Sequence, residues 1–206
     1  MPYRFLDSGE GDMRVRRTRT HLKEALLQMV AERPVAKISV TELSERAEVN
    51  RKTFYLHYSG IGDMLLEIAD DIVHTLDAKF TGELEADVYT LYQFLDTDEE
   101  GLKRLLTETD YVAFQERLYD GVFTHGAFEK ITEESRYPDI TAGYLHSVIG
   151  IFYSYMDRKN EATNLKKLAR NATKLVLLGI TGGGGYRVNG DHSFRYSWGG
   201  GFCEAA

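Results

Sequence analysis

The sequence predicts an all-α protein. Apolar residues recur every three or four positions through most of the chain, which is the period of an amphipathic helix. Residues that favour helix starts precede two of these runs, at Ser39 and Asn50. A chain of 206 residues has room for one or two domains with a real core. We therefore expect a small helical domain, the head, followed by a larger one, the body.

The chain begins with a predicted mobile arm and the first helix of the head. Residues 1–12 contain glycine and mixed charges, which is typical of a mobile terminus. The head spans residues 13–60. Its first helix has an apolar face from Leu22 to Val30 and ends before Pro34, because the residue before a proline avoids the helical conformation.

Two short helices complete the head. Ser39 and Glu42 have the spacing of a capping box, which predicts that a helix begins at Val40. This helix ends near Glu48, and Asn50 caps the next one. Two short capped helices that are joined by a tight turn form a helix-turn-helix motif.

The third helix carries side chains that suit double-stranded DNA. In a helix-turn-helix motif the second helix enters the major groove by its N-terminal end, and that end carries Arg51, Lys52 and Thr53. Arginine and lysine donate to guanine or neutralise phosphates, and threonine offers a hydroxyl and a methyl group. Tyr55 and His57 lie further along and can bind phosphates. The predicted partner is duplex DNA.

The distribution of charge agrees with this partner. The whole chain has a net charge of −7, but residues 13–60 contain ten basic and five acidic residues. A basic head on an acidic body is expected when one part of a protein touches DNA. The basic start of the first helix includes Arg14, Arg16 and Arg17. It is either a solvated helix start or an arm that reaches phosphates or the minor groove.

The body, residues 61–180, begins with a long helix that leaves the head directly. Its apolar positions predict a helix from Ile61 to Phe80, ended by Gly82. Shorter helices are then expected at 88–95, 99–106, 110–123 and 127–135. The aromatic residues of this region either fill the core or line a cavity for a small-molecule effector. The candidate ligand-binding residues are Tyr89, Tyr92, Tyr111, Phe114 and Tyr119.

Two long apolar helices follow, one from Pro138 to Tyr155 and one from about Glu161 to Ile180. They either complete the core or pack against a second copy as a four-helix interface. The candidate interface residues are Tyr144, Val148, Ile151, Phe152, Leu168, Ala172 and Leu175. The Gly-rich tail, residues 181–206, is expected to be disordered or weakly packed. Its one local signal is Asn189-Gly190, which is typical of a hairpin turn.

Several function classes find no support in the sequence. Cys203 is the single cysteine, so no intramolecular disulfide or cysteine-based zinc site is expected, and a reducing cytoplasm fits. No apolar run is long enough for a membrane span, and the start has no signal-peptide pattern. The chain has no metal-binding histidine spacing, no GxSxG motif and no nucleotide loop. We expect neither an enzyme nor a cofactor or metal.

Residues 14–66 resemble the N-terminal domain of the TetR family of transcriptional regulators. The resemblance rests on the segment LSERAEVN and on TFYLHY leading into MLL. It implies a homodimer whose heads each bind one half-site of a palindromic operator. It also implies that an effector in the body moves the long fourth helix and releases DNA, usually from a repressor. Thr41, in the first turn of the second helix, joins the implied DNA contacts.

The chain departs from the family pattern at two positions. Glu48 stands in the turn where the family commonly has glycine, the residue that best tolerates positive φ. Ile61 stands where the family often has a lysine that contacts phosphate. These departures suggest an alternative: a protein that keeps the fold for ligand binding or interaction but no longer binds DNA. Residues 140–180 loosely resemble the branch of the family that contains dihydroxyacetone-kinase operon regulators.

Overall fold

A computed structural model of the protein describes residues 13–156, 164–181, 187–188 and 194–195. Within these residues nearly all of the regular structure is helical, and the predicted all-α class is confirmed. Short 3-10 turns cover Val35–Lys37 and Thr109–Tyr111. The ten α-helices are α1 (Met13–Glu32), α2 (Val40–Arg46), α3 (Arg51–His57), α4 (Ile61–Asp77), α5 (Leu84–Leu95), α6 (Glu100–Thr107), α7 (Val112–Phe123), α8 (Gly126–Glu133), α9 (Pro138–Met156) and α10 (Leu165–Ile180).

The tail contributes a minimal hairpin. Strands β1 (Arg187–Val188) and β2 (Phe194–Arg195) pair antiparallel, with Arg187 opposite Arg195 and Val188 opposite Phe194. This pairing agrees with the turn signal at 189–190, although those two residues lie outside the described part of the chain. The predicted arm at 1–12 also lies outside the described residues.

The helix boundaries in the head follow the capping signals in the sequence. Ser39 Oγ accepts a bond from the Glu42 amide at 3.2 Å, and Glu42 Oε2 accepts one from the Ser39 amide at 3.0 Å. Asn50 Oδ1 accepts from the Lys52 amide at 2.8 Å, which fixes the start of α3. Both predicted caps are therefore confirmed.

The turn between α2 and α3 contains the backbone strain that its sequence predicts. Glu48 has a φ of 55°, and among the described residues it is the one non-glycine position with positive φ. A side chain in this left-handed region costs roughly 1–2 kcal/mol. The turn is stabilised by the Val49 amide, which donates to the Ser44 carbonyl at 2.9 Å. The helix-turn-helix motif thus forms with a glutamate, not a glycine, at the left-handed position of its turn.

Three helix boundaries in the body differ from the prediction by three or more residues, and the others agree within two. Helix α4 ends at Asp77 instead of Phe80, because the following amides turn back to Leu76 and Asp77 before Gly82 adopts a φ of 82°. Helix α5 begins at Leu84, four residues early. Helix α10 begins at Leu165, where the Asn164 side chain accepts from the Lys167 amide at 3.1 Å. The predicted start at 161 lies outside the described residues.

A fully buried carboxylate explains the early start of α5. Asp87 Oδ1 accepts from the amide and the hydroxyl of Thr81, at 2.7 and 3.0 Å. Its Oδ2 accepts from the amides of Gly82 and Ala127, at 3.1 and 2.9 Å. Because buried carboxylates need such donors, Asp87 fixes the α4–α5 loop against the first turn of α8.

The head and the body meet where α1 packs against α6. Gly101 allows this close approach, since a Cβ atom on it would lie 2.0 Å from the Leu27 carbonyl oxygen. Next to it, Arg104 Nη1 donates to the Val30 carbonyl at 2.7 Å, near the C-terminal end of α1. The body therefore binds the backbone of the first helix of the head directly.

Helices α9 and α10 pack on each other, and their buried faces complete the core with α5 and α8. Four candidate dimer residues lie in this core: Val148, Phe152, Leu168 and Ala172. Their burial within the chain leaves little surface for contact with a second copy, so the structure does not support these four as interface residues. Ile151 is half-buried, whereas Tyr144 and Leu175 are exposed. The exposed apolar residues of these two helices are Ile140, Tyr144, Tyr155, Leu175 and Leu178.

Membrane insertion finds no support in the described helices. None of them combines the length and the apolar composition that are needed to cross a bilayer.

Candidate nucleic-acid interface

A single buried aromatic residue orients helix α3. Phe54 is fully buried, and its ring packs at 5.4 Å against Tyr55 and at 5.5 Å against Tyr58. Residues that lie off the buried face of this short helix point outward, and Arg51, Lys52 and Tyr55 are all exposed. The predicted contact residues therefore share one exposed helix surface.

The Arg51 side chain lies along this surface. Its guanidinium is 5.5 Å from the centre of the Tyr55 ring, and Nη2 is 3.4 Å from the Tyr55 hydroxyl. The two residues are one helical turn apart, which is the spacing at which side chains on a helix meet. This contact restricts the guanidinium, so less conformational freedom would be lost when it binds a base or a phosphate.

The other predicted DNA contacts differ in how exposed their side chains are. Thr41 is exposed in the first turn of α2, whereas Thr53 and His57 are half-buried on α3. On α1, Arg14 and Arg17 are exposed and Arg16 is half-buried. Arg16 and Arg17 line a shallow hollow formed by α1 itself, with Thr20, His21 and Glu24. None of the described residues that line this hollow belongs to α3.

One exposed residue of α3 is absent from the sequence-based prediction. Leu56 is 80% exposed, the largest exposure among the apolar residues described in the chain. It lies one helical turn after Lys52, on the same outward face. The sequence contains a signal for the exposure of Leu56. Phe54 and Tyr58 define the buried face of the helix, and position 56 lies on the opposite face.

Other basic residues of the head form ion pairs within the protein. Arg33 Nη2 is 3.0 Å from Glu42 Oε1, and Arg46 Nη2 is 2.5 Å from Glu32 Oε1. The Arg46 contact joins α2 to α1 with two parallel hydrogen bonds. These two arginines stabilise the geometry of the head and are not part of the α3 surface.

A partly buried ionic network connects the end of α3 to helix α4. Arg19 Nε donates to the Tyr58 hydroxyl at 3.5 Å, and Arg19 also pairs with Glu67. Lys23, which is 2% exposed, pairs with both Glu67 and Asp71. Burial raises the pKa of Glu67, but the hydrogen bonds from Arg19 and Lys23 outweigh burial and lower its pKa overall. The carboxylate therefore stays charged in this network.

Ile61 has no charged group that could bind a phosphate. It is half-buried and packs against the core at the first residue of α4. The start of this helix is instead stabilised by Asp63, whose Oδ2 accepts from the amide and the hydroxyl of Ser59, each at 3.0 Å. These hydrogen bonds lower the pKa of Asp63.

A groove of about 610 Å³ opens at the junction of head and body. Three segments line it: the 3-10 turn that precedes α2, the first turns of α4, and the start of α7. Its wall contains Pro34, Val35, Ala36, Gly62, Leu65, Leu66, Asp110, Tyr111, Ala113 and Phe114. The Tyr111 hydroxyl accepts from the Val35 amide at 3.1 Å across the junction.

The five candidate ligand residues have different surroundings in the described part of the chain. Tyr111 and Phe114 line the junction groove. Tyr89 lies 5.6 Å from Lys166 Nζ, and the Tyr119 hydroxyl is 3.4 Å from that of Tyr153. Tyr92 is fully buried, and its hydroxyl donates to the Val148 carbonyl at 2.9 Å. We correct its assignment from a ligand contact to a core residue, because it already has a hydrogen-bond partner inside the body.

The described residues contain no cluster of three or more metal-ligating side chains.

Comparisons with known proteins identify the fold. "Dihydroxyacetone kinase operon activator DhaS" matches with a TM-score of 0.51 and 17% identity, over 79% of this chain and 96% of that chain. A TetR family transcription regulator from Marinobacter aquaeolei VT8 matches with a TM-score of 0.51 and 14% identity, with the same coverage. No protein-family model and no curated protein matches the sequence. The chain has the all-α fold of TetR-type transcription regulators, and both neighbours are named for roles in transcription.

Proposed function

We propose that this protein is a TetR family transcription regulator that binds duplex DNA through helix α3. The observation that carries the proposal is the exposed row of Arg51, Lys52 and Tyr55 on a helix whose opposite face is fixed by Phe54. Such a helix has the size and chemistry that major-groove binding requires. The fold and the basic charge of the head support the same function. Residues 13–60 would be the DNA-binding domain.

The proposed regulator acts as a cytoplasmic homodimer. Residues 61–180 would hold the two heads at the spacing of a palindromic operator. Exposed apolar side chains on α9 and α10, such as Ile140, Leu175 and Leu178, support a second copy at that surface. We propose that operator binding represses transcription and that a small-molecule effector releases the DNA. In vitro transcription that rises when the protein is added would instead make it an activator.

The decisive test replaces the two cations of α3. An operator would first be selected from random duplex DNA with the purified protein. Arg51→Ala and Lys52→Ala are then expected to weaken binding by at least about fivefold each, because each contact to a base or phosphate contributes roughly 1–3 kcal/mol. Lys52→Ala should also reduce the salt dependence of binding by about one phosphate contact. Fluorescence anisotropy at two salt concentrations measures both effects.

A matched control separates this site from general electrostatics. Lys130, which is exposed on α8 in the body, should tolerate replacement by alanine with no change in operator affinity. Equal effects of Lys52→Ala and Lys130→Ala would contradict the assignment of α3. If selection enriches no DNA sequence and the protein does not bind duplex DNA, the chain is a ligand-binding or interaction protein with the same fold.

A second prediction concerns base recognition by Leu56. An exposed leucine beside Lys52 can pack on the methyl group of a thymine in the major groove. Replacing that thymine by deoxyuridine removes one methyl group, which should weaken binding about fourfold, or roughly 0.8 kcal/mol. The Leu56→Ala variant should bind the thymine and deoxyuridine operators equally. If this variant still discriminates at every thymine of the half-site, Leu56 makes no such contact.

A further inference from the structure

The junction groove has the properties of a small-molecule site. Its volume, about 610 Å³, lies in the range of ligand pockets, and most of its wall is apolar. One large apolar residue of the wall remains accessible, since Leu66 is 37% exposed. Apolar surface that a folded domain leaves open in a concave place favours an apolar guest.

The charged residue that lines the groove determines which class of apolar ligand the groove prefers. Among the described residues that line the groove, Asp110 is the one carboxylate, and none is a lysine, arginine or histidine. Tyr111 and Phe114, on the same segment of chain, are only 5% and 2% exposed, so their rings add little surface to the groove. The carboxylate of Asp110 attracts a cation and disfavours an anion.

The position of the groove connects a ligand to the orientation of the head. One wall is formed by Pro34, Val35 and Ala36, at the start of the 3-10 turn that leads into α2. The opposite wall is the start of α7 in the body, and the Val35–Tyr111 hydrogen bond spans the two. A guest in the groove contacts both domains as well as the first turns of α4. The binding free energy of such a ligand therefore depends on the orientation of the head relative to the body.

We infer that the junction groove binds a compact apolar cation, such as a hydrophobic amine, and that this binding alters operator affinity. The inference rests on the proposed function for its second half, since operator affinity requires a DNA-binding head. The site differs from the aromatic cavity that the sequence predicts inside the body, because only Tyr111 and Phe114 of the five predicted residues belong to it.

Three probes of matched shape test the ligand class. These are 1-naphthylmethylammonium, 1-naphthylmethanol and 1-naphthoate, titrated calorimetrically into the full-length protein. The cation is expected to bind up to about fivefold more tightly than the alcohol, because an ion pair with an exposed carboxylate contributes up to about 1 kcal/mol, and the carboxylate probe is expected to bind most weakly. Asp110→Asn should remove the preference for the cation, whereas Asp98→Asn, at an exposed position outside the wall, should retain it. Equal affinity for the three probes, or a preference that survives Asp110→Asn, would overturn the inference.

A second variant tests the location. Ala113→Trp places a large ring in the groove from an exposed position and should abolish binding of the cation. Gln93→Trp on the exposed surface of α5 is the matched control and should leave binding unchanged. Operator affinity with and without saturating cation measures the coupling, and no change would overturn the regulatory half. If the proposed function itself is wrong, the unliganded wild-type protein will not bind an operator. That result differs from a failure of the present inference, in which the operator binds but the cation has no effect.

Discussion

Replacing Gly101 by alanine is expected to destabilise the protein by about 3 kcal/mol and to weaken operator binding. Two effects of opposite sign compete at this helical position. Alanine favours the helix over glycine by roughly 1 kcal/mol. Its Cβ, however, would lie 2.0 Å from the Leu27 carbonyl oxygen and 2.8 Å from the carbonyl carbon. Because these are backbone atoms, they cannot rotate away, and the clash outweighs the gain in helix propensity.

The consequence of this clash is a separation of α6 from α1. Such a movement also lengthens the hydrogen bond from Arg104 to the Val30 carbonyl, so the head loses its attachment at the end of its first helix. Urea denaturation gives the change in the free energy of unfolding, and anisotropy gives the operator affinity. Gly62→Ala is the matched control, since a Cβ there meets nothing within 4 Å. If both variants have wild-type stability, α1 and α6 do not approach as closely as described.

Local signals predict the helix-turn-helix motif well. The caps at Ser39 and Asn50 were predictable because a capping side chain bonds to a backbone amide within three residues of itself. Glu48 was identified as the residue that must replace a glycine, and it has a φ of 55°. The all-α class follows equally from the local period of apolar residues. These features depend on short stretches of chain and require no knowledge of the tertiary structure.

Contacts between distant segments could not be predicted from one sequence. Val35 and Tyr111 are 76 residues apart, and nothing near either residue indicates that they meet at a groove. Val148 and Leu175 are both apolar residues of long helices, yet the first is buried and the second is exposed. Helical period shows which residues share a face, but on a helix with apolar residues on two sides it does not decide which side the same chain covers.

The ionic network of Lys23, Glu67 and Asp71 is expected to contribute strongly to the stability of the protein. Lys23→Met is expected to lower the free energy of unfolding by about 3–5 kcal/mol, because it leaves the carboxylate of Asp71 in a buried position without its lysine. Methionine keeps most of the length of the side chain, so the loss reflects charge rather than an empty volume. Lys103→Met, at an exposed position on α6, is the control and should change stability by less than about 0.5 kcal/mol.

The double variant Lys23→Met with Asp71→Leu separates the two possible roles of the buried pair. A buried ion pair is often no more stable than apolar residues of similar volume, so the double variant should regain most of the lost stability. Operator affinity should return as well, because Arg19 still bonds to Glu67 and to the Tyr58 hydroxyl at the end of α3. If stability returns and operator affinity does not, the buried pair itself determines how α1 sits on α4. In that case the charge of Lys23, rather than the Arg19 contacts, orients the DNA-binding surface.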